Sequence, residues 1–93
     1  MNLKQENLKA ILSLDGEMTI SKASLLRDKL LQSFRQSDEI EISFADVTSV
    51  DLSCLQLLHS ARRSAREKKK KLIIQTDNAP VLQQAQSWAG FDF

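Results

Sequence analysis

The segment EIEISF, residues 39–44, constrains the fold of this chain more than any other, because apolar and polar residues alternate in it without exception. Successive side chains of a β-strand point to opposite faces of a sheet, so the alternation predicts a strand with one face buried. The buried face would carry Ile40, Ile42 and Phe44. The stretch from Val47 to Val50 then leads to Asp51. It is followed by LSCLQLL, in which the apolar residues have the spacing of a helix.

Two segments with helical spacing of apolar residues flank this strand. The first begins at Ser21, a residue type that caps helices, and runs to about Gln36. The second follows Asp51 and ends in a basic turn, as the helix dipole favours. The apolar stripes are expected to be Ala23, Leu26, Leu30 and Phe34 in the first helix, and Cys54, Leu57, Leu58, Ala61 and Ala65 in the second.

A further strand, KLIIQT, and a final helix complete the chain. Asn78 would cap that helix, Pro80 would lie in its first turn and Gly90 would end it. Near the start of the chain, AILSL and EMTI read as two short strands. A hairpin turn at Asp15–Gly16 would join them, because both residue types tolerate positive φ.

The predicted element order is therefore β-β-α-β-α-β-α. Strands separated by helices pair in parallel, and the first hairpin adds an antiparallel edge. The sequence thus predicts an α/β sandwich with a mixed, mostly parallel sheet and helices packed on it. The 93 residues are expected to form one domain, residues 1–93, with residues 1–8 as a flexible N-terminal extension. The largest buried side chains would be Ile40, Ile42, Phe44, Leu57, Leu58, Ile73 and Leu82.

The composition argues against several classes of function. Thirteen basic and 12 acidic residues give a net charge of +1, so no global field attracts nucleic acid or an anionic membrane. No apolar run approaches the roughly 20 residues of a membrane span, and we expect no membrane insertion. One cysteine cannot form an internal disulfide, which fits a reducing compartment. We expect a cytoplasmic protein.

Few residues are candidates for chemistry. Cys54 would lie near the positive end of a helix, which can lower the pKa of a thiol, but its place in the apolar stripe favours a packed residue. His59 is the only histidine, and no second group is available to orient it as a base or to complete a metal site. The run RRSAREKKKK lacks aromatic residues, which favours a solvated helix end over a nucleic-acid site. We predict no cofactor, no metal and no catalysis, with a thiol-dependent enzyme using Cys54 as an alternative of another class.

Asp51 and Ser53 lie where the second helix begins. A carboxylate or hydroxyl oxygen there can accept hydrogen bonds from backbone N–H groups that have no partner within the helix. The same donors and the helix dipole would favour a phosphate at this point, which would change the surface charge by about −2. Capping is the favoured interpretation, and Ser53 is also the phosphorylation candidate.

Three segments, taken in order, resemble the STAS domain family, the fold of bacterial anti-sigma-factor antagonists. LDGEMTISKASLLRDKL is similar to the opening segment of the family, IEISFADVTSVDLSCLQLL to its core signature, and KKKKLIIQTDNAPVLQQAQSWAGF to its closing strand and helix. Together they cover nearly the whole chain. The resemblance implies a STAS-like sandwich that acts as a non-enzymatic binding module.

The resemblance also implies a phosphorylation switch from which this sequence departs. In the antagonists, a serine or threonine directly after the matched aspartate is phosphorylated by a partner kinase, which is also the anti-sigma factor. Asp51 matches that aspartate, but Leu52 occupies the acceptor position and has no hydroxyl, while Cys54 replaces a usual glycine. Ser53 is one position further, and one step turns a side chain by about 100° around a helix. A kinase built for the first position would find Ser53 misdirected.

A regulatory protein partner is the expectation that follows from the family. The partner would be an anti-sigma factor or histidine-kinase-like ATPase, or a chemotaxis component, since DLSCLQLL is similar to STAS proteins of chemotaxis-type signalling clusters. A small cytoplasmic subunit of a phospholipid-transport ATPase is the alternative within the family, although that branch usually has threonine at the acceptor-like position. The predicted contact surface comprises Asp46, Thr48 and Ser49 in a loop before the helix, and Asp51, Leu52, Ser53, Leu55 and Gln56. Exposed Leu52 and Leu55 would mark it as an interface.

Overall fold

The alternating segment forms the inner part of a four-stranded sheet in the computed structural model, which describes residues 1–75, 80–81 and 83–84. The elements are β1 (Asn2–Glu6), β2 (Lys9–Met18), α1 (Ile20–Gln36), β3 (Glu39–Val50), α2 (Leu52–Glu67) and β4 (Lys71–Gln75). The strands lie in the order β1-β2-β3-β4, with β1 antiparallel to β2 and the other two pairs parallel. The predicted mixed α/β class is confirmed.

Each parallel pair of strands is joined by a helix that packs on the sheet. Pro80, Val81, Gln83 and Gln84 are helical, in agreement with a final helix after β4. The predicted cap Asn78, the end at Gly90 and the burial of Leu82 lie outside the described residues.

The predicted hairpin between AILSL and EMTI, with its turn at Asp15–Gly16, is wrong, because residues 10–18 lie within the single strand β2. The antiparallel edge comes instead from β1, which was not predicted to be a strand. Glu6 pairs with Lys9, so the turn consists of Asn7 and Leu8, and Asn7 takes the positive φ of 55°. β2 runs unbroken through Gly16, whose φ of 64° accommodates a bulge where the register against β3 shifts. Residues 2–6 form β1 and residues 7–8 the turn that leads to β2, so the predicted flexible N-terminal extension over residues 1–8 is wrong.

β3 confirms the alternation and extends it further than predicted. Ile40, Ile42 and Phe44 are buried against the helices. The strand continues to Val50, so the stretch from Asp46 to Ser49, expected in a loop, is extended strand. On the opposite face of the sheet, Lys9 and Lys71 pair with glutamates of β3. Ile73 shares that face, opposite Glu41, and is half-buried rather than buried.

The helices bury one stripe each. α1 buries Leu26, Leu30 and Phe34, as predicted, while Ala23 is half-buried. α2 buries five residues on the side that faces the sheet, namely Cys54, Leu55, Leu58, Ala61 and Ala65. Leu57, predicted to be buried, is half-exposed between the two helices. The stripe on α2 is therefore rotated by one position toward Leu55.

Candidate functional site

The starts of both helices meet at one carboxylate. Asp51 Oδ1 accepts a hydrogen bond from the backbone N–H of Cys54 at 3.3 Å, and Asp51 Oδ2 accepts one from the backbone N–H of Ile20 at 2.7 Å. Because β2 and β3 are parallel, the helices that follow them begin at the same end of the sheet. The first N–H groups of a helix have no partner within it, so one aspartate satisfies donors in both helices.

Asp51 is the N-cap of α2, and Ser53 is already inside the helix at its second position. The predicted capping role of Ser53 therefore belongs to Asp51. α1 begins at Ile20 with Thr19 as its N-cap, not at Ser21 as predicted. Among the described residues the Thr19 hydroxyl makes no cap hydrogen bond, but it lies 2.9 Å from the Ser21 hydroxyl.

Two exposed apolar side chains lie next to this carboxylate. Leu52 is 46% exposed and Ile20 is 72% exposed. Ser53 and Gln56 line a groove of about 500 Å³ between the helices, with Ile20 on the side of α1. We call the set Ile20, Asp51, Leu52, Ser53 and Gln56 the junction surface.

Most of the predicted contact residues lie on or beside the junction surface. Thr48 and Ser49 are exposed on the last part of β3, directly before Asp51. Asp46 is also exposed, five positions before Asp51, which is about 16 Å along an extended strand. The structure therefore places Asp46 at the outer margin of the predicted set.

Leu55 does not belong to this surface. Its side chain is 0% exposed, because it lies one turn before Leu58 on the stripe that packs against the sheet. Ile20 takes its place as the second exposed apolar residue. Sequence reasoning missed Ile20 because EMTI was interpreted as a strand, although an apolar residue next to the potential caps Thr19 and Ser21 was an available signal.

Cys54 is a packed residue. The thiol is buried, and its Sγ lies 3.7 Å from the carbonyl oxygen of Thr19, to which it donates a weak hydrogen bond. Burial raises the pKa of the Cys54 thiol to about 11, and the nearby Asp51 carboxylate raises it further in the same direction. The thiol is therefore protonated at neutral pH and is not an activated nucleophile.

His59 and the basic run lie away from the junction surface. His59 is exposed and, with three arginines of α2, lines a shallow cavity of about 260 Å³. Within the described part of the chain, no cluster of His, Cys, Asp and Glu could hold a metal ion. Lys70 pairs with Asp38 at 3.6 Å and Lys71 with Glu39 at 3.5 Å. Two cations of the run thus have an acidic partner nearby.

The family can be identified by comparison with known proteins. The family model described as "Mlab, STAS domain" matches residues 1–92. The chain belongs to the STAS domain family. A search of curated proteins gives no match. No helix in the described ranges combines the length and apolar character that a membrane span requires.

Solved structures agree with this fold. A candidate anti-sigma factor antagonist from Thermotoga maritima is 19% identical, with a TM-score of 0.79 over 96% of this chain and 77% of that one. The Bacillus cell fate determinant SpoIIAA in its phosphorylated form is 17% identical, with a TM-score of 0.77 over 96% and 82%. A third protein, Mglu, is 16% identical, with a TM-score of 0.72. The match covers 80% of this chain but only 19% of the length of Mglu. At sequence identities this low, the similarity shows a shared fold alone.

Proposed function

We propose that this protein is a non-enzymatic regulatory module, similar to anti-sigma-factor antagonists, that acts by binding a protein partner in bacterial signal transduction. The contact centre is the junction surface, with Thr48, Ser49 and Asp46 at its margin. Asp51 serves this surface by holding both helix starts in place through its two oxygens.

The exposure of Leu52 beside Ile20 carries this proposal. Two large aliphatic side chains flank a single capping carboxylate, and both keep much of their surface in water. Burying a leucine or isoleucine side chain contributes about 1.5–3 kcal/mol, so a partner that covers the pair would gain a useful share of its binding free energy. Neither residue belongs to the buried core, to which α1 contributes Leu26, Leu30 and Phe34 and α2 contributes Leu55 and Leu58.

We further propose that phosphorylation at residue 52, the acceptor position of the family, does not regulate partner binding. Leu52 has no hydroxyl to accept a phosphate, and Ser53 lines the groove toward α1 together with Ile20 and Ala23. Two solved structures show SpoIIAA in phosphorylated and unphosphorylated forms. In this chain, the amount of the partner rather than a phosphate would set the extent of binding.

The absence of catalysis is part of the same proposal. The Cys54 thiol is buried and protonated at neutral pH, whereas His59 is exposed, so the two residues lie in opposite environments on α2. Covalent catalysis needs an activated nucleophile with a base in reach, and the arrangement of Cys54 and His59 does not supply that pair.

The partner we propose is a cytoplasmic regulatory protein, either an anti-sigma factor of the histidine-kinase-like ATPase type or a chemotaxis component. The alternative is that the chain is the small cytoplasmic subunit of a phospholipid-transport ATPase. Both roles use a protein interface, so the identity of the bound protein decides between them.

Affinity purification from bacterial cells, followed by mass spectrometry, tests the proposal with a matched pair of variants. Leu52→Asp places a charge in the junction surface, and Leu25→Asp places one at an equally exposed leucine of α1, 47% against 46% exposed. We expect Leu52→Asp to lose the partner and Leu25→Asp to retain it. Equal recovery with both variants would contradict the proposed surface, and a transport ATPase as the retained partner would replace the signalling role by the alternative.

A further inference from the structure

The groove between α1 and α2 continues well beyond the junction surface. A second cavity of about 200 Å³ lies further along the helices and shares Arg27, Leu57 and Ser60 with the first cavity of about 500 Å³. The two cavities therefore form one continuous groove, from the helix starts near Ile20 to Lys68 just past the end of α2. We call it the interhelix groove.

The chemistry of the interhelix groove is apolar and basic. Leu30, Phe34 and Leu57 form much of its apolar lining. Its charged lining residues are Arg27 near the middle and Lys68 at the far end, and among the described residues no aspartate or glutamate lines either cavity. Arg27 makes no ion pair within the described part of the chain. Lys68 Nζ lies 5.4 Å from the centre of the Phe34 ring.

We propose that the interhelix groove binds an amphipathic helix of a protein partner, whose apolar side chains enter the groove and whose acidic side chains pair with Arg27 and Lys68. This inference rests on the proposed function, because it describes the chemistry of the partner that the junction surface contacts. An apolar stripe is the usual anchor of a helix that binds in a groove. Two cations without acidic neighbours in the lining make a negatively charged partner the complementary one.

The length of the groove sets the size of the bound helix. One side of the groove runs from Ile20 to Phe34 in α1, and the other runs from Ser53 in α2 to Lys68 just past its end. At a rise of about 1.5 Å per residue these stretches are about 21 and 22 Å long, which corresponds to about four helical turns.

The spacing of the cations sets the spacing of the acids. Arg27 lines the groove together with Ser60. Ser60 and Lys68 are eight residues apart on the chain of α2, which is about 12 Å along a helix. A bound helix that meets both cations would therefore carry acidic residues about seven or eight positions apart.

A second copy of this chain fits the groove poorly. α1 and α2 contain one acidic residue each, Asp28 and Glu67, so neither presents two acids at the required spacing. Both helices also carry more basic than acidic residues. A different protein is therefore the proposed occupant.

Photo-crosslinking in the producing cells tests what occupies the groove. A photoreactive amino acid replaces Ser60, which lines both cavities, and a control variant carries it at the exposed Gln32, which lines neither. We expect a crosslink from position 60 alone, to a segment with apolar residues at helical spacing and two acids seven or eight positions apart. A crosslink to a second copy, a crosslink to a segment without acids, or no crosslink from position 60 would overturn the inference.

Charge variants test the ionic part of the same inference. Arg27→Glu and Lys68→Glu should together weaken the partner complex by about tenfold, and reversal of the matching acids on the partner should restore it. Arg63→Glu, an exposed arginine of α2 outside the groove, is the control and should have little effect. The circular dichroism spectra of all variants should match that of the wild type.

Two further results would overturn the inference. The first would leave the proposed function intact, and the second would assign the groove to a different ligand. If Leu52→Asp abolishes partner binding but Arg27→Glu with Lys68→Glu does not weaken it, the partner uses the junction surface alone. If phosphatidylglycerol vesicles bind the protein in a manner that needs Arg27 and Lys68, and position 60 crosslinks to no protein, the groove recognises lipid headgroups instead.

Discussion

The backbone N–H of Ile20 donates a hydrogen bond of 2.7 Å to Asp51 Oδ2, across 31 positions of the chain. Because Asp51 also caps its own helix through Oδ1, one side chain fixes the start of α1 against the start of α2. The backbone N–H of Asp51 in turn donates to the carbonyl oxygen of Met18 at the end of β2. The aspartate therefore links a strand and two helices at the place where the proposed partner surface lies.

Asp51→Ala should lower the free energy of unfolding by about 1–3 kcal/mol, because it removes an N-cap and leaves the Ile20 N–H to water. Asp51→Asn keeps one acceptor oxygen and should cost less. Urea denaturation followed by circular dichroism measures both changes. Ser53→Ala is the control, since Ser53 lies inside the helix, and should change stability by no more than about 0.5 kcal/mol. A loss with Ser53→Ala as large as that with Asp51→Ala would show that the cap is assigned to the wrong residue.

Leu55 and Leu52 should respond to truncation in opposite ways. Leu55→Ala opens a cavity in the core and should lower the free energy of unfolding by about 2–5 kcal/mol, as should Leu58→Ala. Leu52→Ala removes an exposed side chain and should change stability by about 0.5 kcal/mol or less, while weakening partner binding. Denaturation and partner pull-down on the same preparations separate the two effects. A stable Leu55→Ala variant that no longer binds the partner would restore Leu55 to the interface.

Local periodicity was sufficient to predict β3, β4, α1 and α2, because it reflects which side chains face the core. The alternation around Ile42 and the apolar stripe around Leu58 each fix one buried face without knowledge of the rest of the chain. The hairpin was misplaced because Gly16 adopts positive φ for a bulge, which depends on pairing with β3. β1 gave almost no signal, since the side chains of a short edge strand are mostly exposed.

The candidate site was only partly predictable for a similar reason. Asp51 was identified from its position before the helix, because capping depends on a few neighbouring residues. Its second hydrogen bond, to Ile20, depends on the parallel pairing of β2 and β3 and could not be read from spacing. Leu55 rather than the predicted Leu57 lies in the core, because packing against the sheet decides how α2 is rotated about its axis.

Stability should fall as the pH rises from about 9 to about 11, in part because of Cys54. Burial, followed by the Asp51 carboxylate, raises the pKa of the Cys54 thiol from its usual 9.0 to about 11. In this interval the unfolded chain has lost the thiol proton and the folded protein retains it, so increasing pH favours unfolding. Cys54→Ala isolates the contribution of the thiol, because the stability of this variant should fall less steeply with pH. Equal pH slopes for wild type and Cys54→Ala would contradict the assigned environment.

Alkylation gives an independent check on the same thiol. Iodoacetamide at pH 7.5 should label Cys54 in the native protein far more slowly than in urea, because the side chain is 0% exposed and protonated. Mass spectrometry at timed intervals measures both rates. Rapid labelling of the native protein, with its circular dichroism spectrum unchanged, would bring back the reactive-thiol interpretation.

Phosphate incorporation should distinguish a missing switch from a displaced one. With a histidine-kinase-like anti-sigma kinase and radiolabelled ATP, we expect no labelling of the wild type, because Leu52 offers no hydroxyl at the first helical position. Leu52→Ser restores a hydroxyl there and should be labelled, and Leu52→Ser combined with Ser53→Ala should be labelled equally. Ser53 is turned by about 100° from that position and lines the groove between the helices, where a kinase aligned with residue 52 does not reach it. Stoichiometric labelling of the wild type that disappears in Ser53→Ala would show instead that the acceptor has moved by one residue and that the kinase approaches along the groove.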